Sequence, residues 1–363
     1  MAKKILFIYN QVSESQKTGL FAECILAREI ERIRLALEES NTHVLSLDLH
    51  SPAQLEKHLL ANQTIDLSFV IAEGFKARPQ TLYNGHGAAL VRKYLRKYNI
   101  PSTHSSVESM EICRNKDLTY TKLLEKGLPI PKYLEFDTQF LKNIGSLKKQ
   151  VSQIGYPVFV KPAGGGNSIG ISPDSVVYTF QQLKEQVMRL HQELGPTGLV
   201  IEQFLEGQEY TIGIIGNRTK YILPIVGFPR NMGIRDCAIK KIEYLLRDQF
   251  EIIDERDSRF NTLLELGITT FEAVQANDVL RIDLKEDGRG NIFVIDVNGT
   301  PALSSTGSLN FMASKLGLEH KQLIQLVLYE SMLRYELTPS SLFEEFVKAT
   351  KSKLVKFESI GAA

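Results

Sequence analysis

Three short apolar runs punctuate the first hundred residues, at 4–9 (KILFIY), 43–49 (HVLSLDL) and 66–71 (DLSFVI). Each has strand length and reads as a strand in a sheet interior. Between the first two, Ile25, Ile30, Ile33 and Leu37 recur at near-helical spacing over 21–37. Strand–helix–strand alternation predicts a parallel sheet with right-handed crossovers. The turn after the first strand, 10–17 (NQVSESQK), holds no glycine. A Rossmann dinucleotide turn is therefore absent there, and the layer is expected to offer its strand-end loops to a substrate.

Further along, the pattern becomes mixed. A short strand is predicted at 100–103 (IPST), then a helix over 116–126 that stops at Gly127-Leu-Pro-Ile-Pro131. Glycine takes the left-handed cap and proline cannot continue a helix. A strand at 156–161 (YPVFVK) leads into a glycine-rich loop and a second strand at 168–172. An amphipathic helix spans 180–194. Strands follow at 199–205, 209–215 and 221–228, with Gly216-Asn217 as a turn. Residues 230–256 are rich in Arg, Lys and Asp and read as either a functional loop or a disordered segment. A helix over 261–275 precedes a hairpin, 280–284 and 292–297, around Asp287-Gly-Arg-Gly290. Helices at 311–316 and 321–335 close the pattern. The tail beyond Pro339 is charged and weakly amphipathic and receives no function.

Composition narrows the class. At 363 residues, 43% hydrophobic and 23% charged, the chain is a folded protein of several subdomains. With 43 basic and 42 acidic residues it lacks the electrostatic footprint of a nucleic-acid binder. No apolar run approaches the roughly 20 residues needed to cross a bilayer. The apolar start breaks at Asn10 with no small-residue cleavage site, so a buried strand is favoured over a signal peptide. Cys24, Cys113 and Cys237 stand far apart. They form no metal pair and no disulfide framework, which points to a reducing cytoplasm.

Three motifs carry candidate chemistry. In the first, Val160-Lys161-Pro-Ala-Gly164-Gly165-Gly166-Asn167-Ser168-Ile-Gly170, a strand delivers a lysine and then a loop. Glycines let backbone N–H groups approach phosphate oxygens, and lysine adds a point charge. By itself the run reads equally as a flexible hairpin tip, and no Gly-Lys-Ser/Thr makes it a P-loop. In the second, Arg281-Ile-Asp283 faces Asp296-Val-Asn298 across a hairpin. Residues two apart share a sheet face, so the acids could line one cleft and bind Mg²⁺ beside substrate phosphates. A solvated polar face is the plainer alternative, but Asp disfavours strands. In the third, Glu202-Gln-Phe-Leu205-Glu206-Gly-Gln-Glu209, two carboxylates flank a strand end, suited to an adenine amino group and a ribose hydroxyl. A plain polar strand end explains this third motif as well.

The order lysine–glycine loop, glutamate strand, Asp/Asn hairpin resembles the ATP-grasp superfamily, specifically its D-alanine–D-alanine ligase-like branch, over roughly residues 85–335. Ile100-Pro-Ser-Thr, Asn115-Lys116, Gly127-Leu-Pro-Ile-Pro and Asn298-Gly-Thr-Pro301 complete the likeness. The resemblance implies an α/β ATP-grasp fold. A parallel-sheet domain would cover 1–108, a central α+β subdomain 109–198, a C-terminal α+β subdomain 199–338, and a tail 339–363.

It further implies that Lys116 and Lys161 contact ATP phosphates, and that Gly164, Gly165, Gly166, Asn167 and Ser168 close over them. Glu202, Leu205 and Glu209 would hold adenosine. Asp283, Asp296 and Asn298 would hold two Mg²⁺, with Mn²⁺ the alternative ion. Arg281 would steady the transferring phosphate and the tetrahedral charge. Ser305 and Ser308 would meet the second substrate's carboxylate, and Lys240 or Lys241 would cover the site. The implied activity is ATP-dependent joining of a carboxylate to an amine through an acyl phosphate, with amino-acid-like substrates and a homodimer. His86 reads as a turn residue.

The sequence departs from that branch at the first substrate. A glycine-rich Ser/Glu motif is replaced by Asn10-Gln-Val-Ser-Glu-Ser15, with Glu14 as the stand-in. Asn167 replaces a serine, Asp296 a glutamate, and Pro301-Ala302 a Pro-Gly. The tyrosine partner of the covering loop is replaced by Lys241 or displaced to Tyr244. Three readings follow. One is a ligase with a divergent first pocket, in specialised metabolism. Another is D-alanine–D-alanine ligase itself. The third is a non-catalytic nucleotide-binding protein, against which Lys161, Asp283, Asp296 and Asn298 argue.

Overall fold

The computed structural model describes residues 2–62, 64–166 and 168–358. β1 (Lys3–Tyr9) is followed by a two-residue pair, β2 (Gln11–Val12) and β3 (Ile25–Leu26). Then come α1 (Ala27–Glu38), β4 (Thr42–Asp48), α2 (Pro52–Ala61) and β5 (Leu67–Val70). β1 lies between β4 and β5 and pairs with both in parallel, as the alternation of apolar runs predicts. The strand expected at 100–103 reduces to a single bridge, Ser68 to Ser102. Pro101 has no N–H to extend a ladder. The Thr103 hydroxyl instead accepts from Val70 N at 3.0 Å.

Three helices, α3 (Gly87–Lys97), α4 (Val107–Cys113) and α5 (Lys116–Glu125), lead to a second sheet. It comprises β6 (Tyr133–Asp137), β7 (Val158–Pro162), β8 (Val176–Val177) and β9 (Gly198–Gln203), in antiparallel order β6–β9–β7–β8. α6 (Leu147–Ile154) and α7 (Phe180–Leu194) belong to the same layer. The second strand expected at 168–172 does not form. Ser168 and Gly170 hold φ of +59° and +73°, left-handed values that no extended strand accommodates, and β7 pairs with β8 instead. β9, which the sequence groups with the C-terminal part, hydrogen-bonds into this central sheet.

The third sheet starts with β10 (Glu209–Gly216), β11 (Thr219–Ile222) and β12 (Ile225–Gly227). The single strand expected over 221–228 breaks at Leu223-Pro224, because proline has no N–H for the ladder. Residues 230–256 contain α8 (Cys237–Ile242), short 3₁₀ turns and an edge strand, β13 (Glu251–Ile253). α9 (Phe260–Ala273) precedes the hairpin of β14 (Asp278–Glu286) and β15 (Ile292–Asn298), which packs on the other side of β10. α10 (Ser308–Ser314) and α11 (His320–Arg334) follow. The segment read as a featureless tail then forms α12 (Ser341–Lys351) and β16 (Val355–Glu358), which pairs antiparallel with β11 and closes that sheet edge.

The largest apolar cluster joins the two ends of the chain. Phe7, Phe69, Ile33 and Leu37 pack in one core with Val279, Ile324 and Val327. α11 is buried on nearly every side from Leu323 to Met332, which explains why its apolar residues show no single stripe. Among the described residues, no helix is long and apolar enough to cross a membrane. The second and third sheets remain apart around a cleft, with the glycine loop at its rim.

Candidate active site

Twelve of the residues singled out from sequence line the cleft: Lys116, Lys161, Gly164, Gly165, Gly166, Ser168, Glu202, Leu205, Glu209, Lys240, Asp283 and Asp296. Asn167 lies outside the described residues, as do the side chains of Lys241 and Cys237. Arg281 and Asn298 form the pair two register positions along the hairpin from the two acids, and Ser305 and Ser308 are not part of the cleft lining.

The inner wall is a compact polar knot. Lys161, on β7, lies 2.8 Å from Glu202 Oε1 on β9 and donates to Ile295 O at 3.0 Å and Tyr120 Oη at 3.1 Å. The Tyr120 hydroxyl donates to Glu202 Oε2 at 2.7 Å. A β-bulge makes this possible. Asp283 pairs with Asp296, but the next pair is Leu284 with Val294, so Ile295 is an extra residue whose carbonyl turns from the ladder to the lysine. Tyr120 was not among the residues singled out from sequence. Only its place one helical turn after Lys116 could have marked it.

The glycine loop is stitched down at both ends. Gly164 bridges to Asn115, and Lys116 N donates to Ala163 O at 2.9 Å. A Cβ on Gly165, whose φ is +78°, would come within 2.5 Å of Tyr83 O, so only glycine fits there. The Ser168 hydroxyl reaches across the cleft to Arg235 O at 2.7 Å. Arg235, also missed in the sequence, stacks 3.5 Å over the Phe228 ring and pairs with Glu209 and Glu243. Burial alone would raise the Glu209 carboxyl, but Arg235, Lys285 and Lys240 outweigh it and bring it down to about 2.

On the hairpin, Arg281 makes a fork with Asp283 at 3.1 and 3.0 Å, and Thr211 donates to Asp283 at 2.7 Å. Asp296 lies 3.5 Å from the Lys116 ammonium. Burial opposes its ionisation, yet Lys116, Lys161 and Arg281 together hold its carboxyl below the ordinary range. Lys116 and Lys240 are pushed down, chiefly by burial. Among the described residues no group of three His, Cys, Asp or Glu converges on one point. Two facing carboxylates with the Asn298 amide are nevertheless hard oxygen donors, a set that fits Mg²⁺ completed by phosphate and water oxygens.

The first-substrate corner differs from the expectation. Glu14 is turned outward, 2.8 Å from Arg28, both largely exposed. The carboxylate that does reach the glycine loop is Glu23: a Cβ on Gly166 would lie 2.3 Å from its Oε1. Glu23 is paired with the buried Arg114 at 2.6 Å, and Arg114 stands 3.5 Å from Glu73. Burial pushes the Glu73 carboxyl up, against the pull of Arg114, to about 7. Glu23 lies eight residues beyond the 10–15 stretch and carries no motif of its own in the sequence.

Ser305 is likewise spoken for. Its N–H and hydroxyl donate to Glu29 of α1 at 2.6 and 2.9 Å. Ser308 opens α10. Cys24 and Cys113 are free and buried, and burial pushes both thiols up to about 12. His86 is exposed and is the residue that caps the start of α3.

A family model for the C-terminal part of D-ala D-ala ligases matches residues 123–329, more than half of the chain. The chain belongs to the D-alanine–D-alanine ligase family. A D-alanine–D-alanine ligase of Pelotomaculum thermopropionicum is 26% identical over 274 residues, 73% of this chain and 80% of that protein. The crystal structure of D-alanine–D-alanine ligase from Bacillus anthracis with ATP superimposes with a TM-score of 0.66 at 18% identity. It covers 93% of this chain and all of the other. VanG D-Ala:D-Ser ligase from Enterococcus faecalis gives 0.64 at 16% identity, over 91% of this chain and all of the other. These likenesses show the ATP-grasp fold, and family membership makes the chain an ATP-dependent ligase of that type.

Proposed function

We propose that this ligase joins an amino-acid-like carboxylate to an amine through an acyl phosphate, and that its first substrate is not D-alanine. The observation that carries the second clause is the Glu23–Arg114 pair. The carboxylate beside the glycine loop is already neutralised by a buried guanidinium, and Glu14 points to solvent. An incoming α-ammonium would have to compete with Arg114. A substrate whose α-amine is absent, acylated or placed elsewhere avoids that competition.

The chemistry follows from charge. A substrate carboxylate oxygen attacks the γ-phosphorus, the bond to the β-phosphate oxygen breaks, and ADP leaves. The amine nitrogen then attacks the acyl carbon, a tetrahedral oxyanion forms, the carbon–oxygen bond to phosphate breaks, and the nitrogen loses a proton. Lys116, Lys161 and Lys240 line the cleft where phosphate charge must be offset, and Arg281 is aimed by its fork with Asp283. Asp283, Asp296 and Asn298 would hold Mg²⁺, which supplies further charge neutralisation on the phosphates. The loop over 164–168 and the segment 230–256 would exclude water from the acyl phosphate.

A second reading, D-alanine–D-alanine ligase proper, is favoured by the position of Glu23 against Gly166 and by the names of the relatives. Phosphate release measured with paired carboxylates and amino acids of both chiralities separates the two. Turnover with a carboxylate lacking a free α-amine, and slow turnover with D-alanine, is the expected result. Fast D-alanyl-D-alanine formation at low D-alanine concentration would replace the first reading by the second. ATP turnover with neither class would leave only nucleotide binding.

A further inference from the structure

We propose that Tyr120 is a positioning residue of the nucleotide site, whose phenol holds Lys161 and Glu202 in a pairing that sets nucleotide affinity and base choice. The inference rests on reading those two residues as nucleotide ligands. Tyr120 is fully buried on α5, with its ring 5.0 Å from that of Tyr133 in an edge contact. A phenylalanine would fill the same space, so the hydroxyl is the part with a separable role.

An ammonium has three donors and no acceptor. The contacts of Lys161 use all three: Glu202 at 2.8 Å, Ile295 O at 3.0 Å and the phenol at 3.1 Å. A phosphate can engage this lysine only if one contact is released. The phenol is the weakest acceptor of the three, since its oxygen lone pair is delocalised into the ring and its contact is the longest at 3.1 Å, while its proton faces Glu202 Oε2 at 2.7 Å and Ile295 O at 3.1 Å. Tyr120 therefore satisfies Lys161 without nucleotide and yields it with nucleotide, while Glu202 and Ile295 O keep the ammonium in place. The same hydroxyl fixes the plane of the Glu202 carboxylate, the group suited to an exocyclic amino hydrogen. Without it, Oε2 is left buried without a donor, and Lys161 is drawn into contact with both oxygens, away from the cleft.

The test compares the full chain with Tyr120→Phe by calorimetry, using a non-hydrolysable ATP analogue with Mg²⁺, and by steady-state kinetics with ATP and GTP. Analogue binding should weaken roughly tenfold, and the KM for ATP should rise alike. kcat and the KM of the carboxylate and amine substrates should stay within about twofold. The preference for ATP over GTP should shrink. Unchanged affinity and preference would overturn the proposal. So would a fall in kcat and a rise in every KM together with a lowered Tm, the mark of a structural role. If Tyr120→Phe does not fold, Glu202→Gln serves in its place and should weaken ATP binding and erode the ATP preference. Glu202→Gln with wild-type affinity and preference would also overturn it. Absence of nucleotide binding by the wild type would sink the nucleotide reading itself, and this inference with it.

Discussion

Asp283 and Asp296 stand directly opposite each other across the β14–β15 hairpin, and the ladder slips by one residue immediately beyond them. Two carboxylates in register repel unless cations offset them. Arg281 is forked onto the first, and Lys116 and Lys161 lower the proton affinity of the second. The slip also presents the Ile295 carbonyl to Lys161. One local irregularity thus places the acidic pair and the phosphate-side lysine on the same wall.

Asp296→Ala is expected to abolish phosphate transfer while leaving the fold intact. The side chain is a partly exposed wall of the cleft, and among the described residues its ion pair is with Lys116. Far-ultraviolet circular dichroism and a thermal melt should match the wild type, with ADP production lost at saturating Mg²⁺. Wild-type turnover by the variant would remove Asp296 from the metal and phosphate region.

Ser305 and Ser308 should behave differently although only three residues apart. Ser305→Ala removes one of three donors to the buried Glu29 carboxylate, the others being Ser305 N and Arg32, and should lower stability by about 1–2 kcal/mol, read as a reduced denaturant midpoint. Ser308→Ala should leave stability within about 0.5 kcal/mol and instead raise the KM of the amine substrate. Equal effects on stability and on KM for both variants would refute this division.

Glu73 gives a pH dependence with a definite sign. Its folded pKa, pushed up mainly by burial and also by Glu23 against Arg114 and Arg92, is about 7, above the 4.5 of the free side chain. The native state therefore binds the proton more tightly than the unfolded chain. The associated stability is fully present below about pH 4.5 and is gone above about pH 7. Glu73→Gln, a mimic of the protonated form, should gain on the wild type across that window, by about 3 kcal/mol at most. Melting curves of both proteins from pH 4.5 to 8 read this. A difference that shrinks with rising pH would contradict it.

Amide exchange within 164–166 and 230–253 should slow when an ATP analogue and Mg²⁺ are added. Ser168, just past the glycines, ties the second stretch to the loop through its hydroxyl on Arg235 O, and Arg235 pairs with Glu209 at the cleft rim. Mass-spectrometric exchange with and without nucleotide checks it, and equal protection in both states would reject closure of the two segments on nucleotide.

Much of this molecule is legible in its sequence. The parallel sheet at the start follows from apolar runs of strand length separated by a helical period. The hairpin 278–298 follows from alternation around a turn of glycines, and alternation alone predicts that its acids share a face. Motif order brought Lys161, Glu202, Glu209, Asp283 and Asp296 together on paper, and these do line one cleft. Other features are invisible to any local rule, because they depend on what lies opposite in space. The bulge at Ile295 has no residue signature. Tyr120 looks like a core aromatic until β9 and the bulge supply its partners. Glu29 looks like a surface residue of an amphipathic helix until the 302–307 loop closes over it. Glu23 and Glu14 are similar acids nine positions apart; folding pairs one with the buried Arg114 by the glycine loop and leaves the other in solvent. Periodicity reports which side of an element is apolar. The partner of a polar group is set by packing between elements far apart in the chain, and in this protein that packing decides which carboxylates can meet a substrate.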